Sequence, residues 1–178
     1  MTWYELFLFV HVTGAIIWIG GASVFQIYGM VEVASGDRAA IARFAGNVAH
    51  IGERVFIPTS LIVVLAGIGL MINGDWPWGR LWVLFALAAF GASFLLGVLV
   101  LAPTAKRIPA VGAETNEGQG LIRKLFALLK VDLLFMFGIV FAMTTKPTGD
   151  DTLVVIVAAA VLLAGSAYFL NQARSASA

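Results

Sequence analysis

The chain has 178 residues, 61% of them hydrophobic and 12% charged, with a formal net charge of +1. Soluble domains carry about 25% charged residues, so a mean hydropathy of +0.97 excludes a water-soluble domain. Eleven Lys and Arg against ten Asp and Glu give no general attraction for nucleic acid, and the absence of Cys excludes disulfides, thiolate zinc sites, iron–sulfur clusters and covalent haem attachment.

An apolar run of roughly 18 residues or more crosses a ~30 Å hydrocarbon layer at 1.5 Å per residue. The pattern predicts five such spans, an all-α bundle forming a single transmembrane domain over residues 1–178. The first, 6–31, is interrupted by His11, Thr13, Ser23 and Gln26; with no basic stretch before it, it reads as a retained span. The second is mixed from Asp37 to Arg54 and purely apolar over 55–72. As one helix it would be about 50 Å long, so its first turns lie at the interface or in water, and Pro58 is expected to kink it. Spans three to five cover 81–102, 125–144 and 153–170. Asn73–Gly79 and Thr145–Asp151 read as short turns, with Asp151 or Thr152 capping the fifth helix. Pro103–Gly120 reads as the longest loop, and the Ala/Ser tail from Ala173 as disordered.

Arg38, Arg43, Arg54, Lys106, Arg107, Arg123, Lys124, Lys130 and Arg174 fall toward one face of the membrane, Arg80 and Lys146 toward the other. The positive-inside rule then puts the N-terminus outside and the C-terminus in the cytoplasm, across a cell's inner membrane. Trp3, Tyr4, Trp76, Trp78 and Trp82 fall at the outer interface, where an aromatic belt belongs.

His11 is the most informative residue, because ionisable side chains inside spans are rare and face protein. Gly14, Ala15 and Trp18 follow it on one helical face. A flat macrocycle ligated by His11 would lie in the notch of Gly14 and Ala15 with Trp18 below; alternatively, His11 donates to a carbonyl of a neighbouring helix that Gly14 and Ala15 let approach. Met136 lies at similar depth, which makes a His/Met ligand pair conceivable. His50 sits about 20 Å from His11 along the bundle, too far to ligate the same iron, and reads as part of an interfacial cluster with Asn47, Glu53 and Arg54. Asp132, the acid deep in span four, is read as either an ion pair with Arg54 or a proton relay. Ala89, Ser93 and Gly97 form a small-residue packing stripe.

Phe9-Val-His-Val-Thr-Gly-Ala-Ile-Ile-Trp-Ile-Gly-Gly21 resembles the His…Trp…Gly first helix of the copper resistance D-like superfamily, which includes the membrane protoporphyrinogen oxidases. Arg54-Val-Phe-Ile-Pro58, Ser93-Phe-Leu-Leu-Gly97, Val131-Asp-Leu-Leu134 and Thr144-Thr-Lys-Pro147 resemble a bacterial family within it of predicted integral membrane proteins, domain of unknown function 2269. The resemblance implies a haem b ligand at His11. The oxidases also use a lysine in a later helix, and span three has none between Leu81 and Ala102.

Three functions follow as expectations. The first is a b-type haem held by His11 for electron transfer or an oxidoreductase step. The second is a cofactor-free accessory subunit that packs into a larger membrane complex or a homo-oligomer through its glycine-rich faces. The third is a transporter of copper or another small solute, with Asp132 and Arg54 lining the path.

Overall fold

The computed structural model describes residues 1–175, and each expected span is part of a longer helix. These are α1 (Trp3–Ser35), α2 (Arg38–Asn73), α3 (Leu81–Val111), α4 (Asn116–Thr145) and α5 (Gly149–Arg174), all long and apolar enough to cross a membrane. The caps explain their starts. The Thr2 hydroxyl accepts from the Glu5 N–H while the Glu5 carboxylate accepts from the Thr2 N–H at 2.7 Å, which satisfies two otherwise unpaired donors at the head of α1. Gly36, at φ +73°, turns the chain between α1 and α2, and Asp37 accepts from the Ala39 N–H at 2.9 Å to open α2. Thr115 caps α4 by accepting from the Gly118 N–H at 2.9 Å. Asp151 accepts from the Thr148 N–H at 2.9 Å, and this closes the single 3-10 turn with which α5 begins.

Pro103–Gly120 is not the loop expected from its prolines. The helix runs on to Val111, and only the segment around Gly112, at φ +87°, breaks it before α4. Pro103 stands in the first turn after a wider, π-type turn, where its missing N–H costs no regular hydrogen bond. Pro58 occupies the same place in α2. Gly52–Phe56 is a π turn two residues before Pro58, and Gly97–Leu101 is one two residues before Pro103. A proline ring collides with the carbonyl four residues earlier, and widening the helix there moves that carbonyl aside. A third π turn, Ile16–Gly20, lies in α1. The tail from Ala173 is helical as far as Ser175; the rest of that tail lies outside the described residues.

In lipid, helices gain little by hiding apolar surface from one another, so close packing and interhelical hydrogen bonds decide which faces meet. α1 packs on the Ile57–Asn73 part of α2, whose Arg38–Ile51 part packs on the end of α3; α3 and α5 both pack on α4. Glycines make these approaches. A Cβ on Gly14 would stand 2.7 Å from Val63, and one on Gly69 would stand 2.7 Å from the Phe7 ring. Between α4 and α5 the notches are reciprocal: Gly138 receives Leu162 and Gly165 receives Leu134. Ala89 and Ser93 of the small-residue stripe are buried, whereas a Cβ on Gly97 would meet nothing, so the close contact ends at Ser93. Phe44, Ile108 and Leu125 are the largest fully buried side chains and close the end of the bundle that carries most of the basic residues.

Candidate functional site

The antiparallel α1 and α2 bring His11 against Val63 and Gly67. His11 Nδ1 lies 2.8 Å from the Val63 carbonyl oxygen, so Nδ1 carries the proton and donates it. A Cβ on Gly67 would lie 3.2 Å from the imidazole, so glycine there lets the ring lie flat on α2. With Nδ1 engaged, Nε2 is the remaining ring nitrogen and has no hydrogen bond among the described residues. A ligating histidine is held in this way, its other N–H fixed by a carbonyl or carboxylate.

His11 lines a cavity of about 330 Å³, walled chiefly by Trp18, Trp76, Trp82, Phe90 and Met143. Trp76 and Trp82 meet edge to face at 5.9 Å, and Lys146 lies 4.6 Å above the Trp76 ring and 5.6 Å from that of Trp82. Lys146 is also one of two non-glycine residues with positive φ among the described residues, at 45°. The turn after α4 therefore holds a cation at the aromatic end of the cavity, in a backbone conformation that L-residues adopt at a cost. Tyr4 and Trp78 also line it, while Trp3 is 70% exposed.

A second cavity, of about 80 Å³, lies on the other side of Trp18, which lines both. Its polar groups are Asp132, Ser93 and Ser60. Ser93 Oγ donates to Asp132 Oδ1 at 2.5 Å, and Ser60 Oγ donates to the Ile57 carbonyl at 2.9 Å.

The residues singled out in the sequence part company here. Gly14 offers no notch to a ligand, because Val63 fills it, and Ala15 does not line the His11 cavity. Met136 is buried against the Asp132 cavity; the methionines that line the His11 cavity are Met71 and Met143. The Arg54–Asp132 pair does not form: Arg54 is exposed and its Nη1 lies 3.3 Å from His50 Nε2, while Asp132 accepts from Ser93. Arg54 belongs to the π turn Gly52–Phe56. Of the cluster expected around His50, His50 and Arg54 meet. Glu53 pairs with Lys106 across to α3, and Asn47 is exposed. His50 lies 13 residues before Val63 along α2, about 20 Å from the level of His11. Among the described residues no three His, Asp or Glu side chains converge on a point.

Sequence reasoning missed the three π turns. The signal was present in two of them, since Gly52-Glu-Arg-Val-Phe-Ile-Pro58 and Gly97-Val-Leu-Val-Leu-Ala-Pro103 place glycine and proline at the same spacing.

Residues 5–147, which hold nearly all of α1 to α4, match a protein family described as "Predicted integral membrane protein (DUF2269)". No curated protein and no solved structure matches the chain.

Proposed function

We propose that this chain, which belongs to the DUF2269 family of predicted integral membrane proteins, holds a b-type haem through His11 Nε2 and serves electron transfer within the membrane. The observation that carries this reading is the Nδ1 bond to the Val63 carbonyl, which fixes the ring and leaves Nε2, beside an aromatic cavity, as the nitrogen that would hold the iron. The residues fit the group in chemistry. Trp18, Trp82 and Phe90 supply the apolar walls a macrocycle needs, and Lys146 supplies a cation for a carboxylate substituent at the interface. At about 330 Å³ the cavity is at the small end of ligand clefts, so the edge of a macrocycle lies beyond it. Such a haem supplies one-electron exchange, and the protein supplies its ligand, its apolar surroundings and the counter-charge. By the positive-inside rule the His11 cavity faces the outer side and the basic end of the bundle the cytoplasm.

Titrating the purified apoprotein with haemin tests the reading. Saturable binding with a Soret shift, lost in His11→Ala and weakened several-fold in Lys146→Ala, is the expected result. Equal binding to wild type and His11→Ala excludes His11 as ligand.

A second reading is favoured by the same contact. If His11 only clamps α1 to Val63, the chain is a cofactor-free subunit that packs into a larger membrane complex through its lipid-facing surfaces. It would then be recovered colourless and with stoichiometric partners.

A further inference from the structure

The three π turns come from three different helices, yet all reach the small cavity at Asp132. Trp18 comes from the turn in α1, Phe56 from that in α2, and Gly97 and Leu101 from that in α3. π turns occur mostly as single insertions and are frequent at functional sites. Here they surround the one acid that lies deep in the bundle, where an ionisable side chain carries a functional presumption.

The charge balance of this cavity is unusual. Among the described residues Asp132 is the only titratable one that lines it. The cavity is lined from α1 by Trp18, Ala22 and Phe25; from α2 by apolar residues, Gly52 and Ser60; from α3 by Ser93, Gly97 and their apolar neighbours; and from α4 by Leu129 and Met136 beside Asp132. Cations of α2, α3 and α4 are engaged elsewhere. Arg54 lies beside His50, Lys106 pairs with Glu53, and Lys130 stands over the Phe169 ring at 5.4 Å. An ionised carboxylate has no counter-charge there, and a metal cation finds few oxygens, because the walls are mostly aromatic and aliphatic. A proton neutralises the group without needing a coordination shell.

We propose that Asp132 is a proton-carrying carboxyl, which takes a proton from hydronium to become the neutral acid and returns it to water in the cavity. Ser93 Oγ holds Oδ1 and so orients the carboxyl. The cavity of about 80 Å³ has room for about two or three waters at ~30 Å³ each, with the Ser60 and Ser93 hydroxyls as further partners. This site does not rest on the haem reading, since it uses neither His11 nor the cavity that His11 lines and shares with that cavity the Trp18 wall.

The test is covalent labelling of the full-length protein in detergent with N,N′-dicyclohexylcarbodiimide, which adds to protonated carboxyls in apolar surroundings, followed by peptide mass spectrometry. The expected result is an adduct on Asp132 at neutral pH, reduced at least tenfold at alkaline pH, absent in Asp132→Asn and unchanged by sodium ions. If Asp132→Asn does not fold, the peptide assignment in the wild type still identifies the residue. Absence of an Asp132 adduct even at acidic pH overturns the proposal in favour of a structural Ser93–Asp132 clamp. Suppression of the adduct by sodium at constant pH overturns it in favour of a metal-cation site.

Discussion

At the scale of single residues, Lys146 shows how local strain and a local contact oppose each other. Its positive φ costs about 1–2 kcal/mol in an L-residue, and its ammonium over Trp76 returns about 0.5–1 kcal/mol at an interfacial position. Lys146→Ala loses the contact and keeps the strain, so it should lower stability by about 0.5–1 kcal/mol; Lys146→Gly loses both and should be the more stable of the two. Thermal unfolding followed by tryptophan fluorescence measures the order, and an alanine variant as stable as the glycine one would show that the backbone is unstrained. His11 and Asp132 were legible in the sequence because each interrupts an apolar run. Their partners were not. Counting 1.5 Å per residue gives depth but not rotation about the helix axis, and a single inserted residue turns the face by about 100°. That is why depth alone paired Asp132 with Arg54, while the fold gives it Ser93.

At the scale of elements, the glycine notches determine which faces meet. The reciprocal contacts of Gly138 with Leu162 and of Gly165 with Leu134 hold α5, whose exposed apolar residues include Leu153 and Leu163, against α4. Gly138→Val should overpack this seam and cost about 1–3 kcal/mol, and Leu162→Ala should recover part of the loss when combined with it. Unfolding in a graded detergent mixture checks both; equal stability of the single and double variants would contradict the seam. The five helices were readable from apolar length alone, but their ends were not. α3 passes through Pro103 to Val111 because the π turn before it accommodates the ring, a tolerance that a rule treating proline as a helix end overlooks.

At the scale of the whole molecule, the N-terminus, the 74–80 turn and the 146–148 turn share one end, and the 36–37 and 112–115 turns share the other. The second end carries most of the Lys and Arg, and the orientation we propose, with that end in the cytoplasm, rests on the positive-inside rule. Because the chain lacks Cys, Asp150→Cys and Glu114→Cys each provide a unique thiol at an exposed turn. In intact cells a membrane-impermeant maleimide should label the first and not the second, and the opposite pattern would invert the bundle.

The two cavities stand one above the other, with Trp18 as their common wall. In the function we propose, the one that His11 lines would hold the electron carrier through that single histidine. The most direct measurement is therefore a reduced-minus-oxidised absorption spectrum of the protein purified from haem-replete cells, taken beside His11→Ala of equal thermal stability. The account predicts a b-type difference spectrum in the wild type that is absent from the variant. A colourless wild type, or a spectrum that survives the loss of His11, would contradict it.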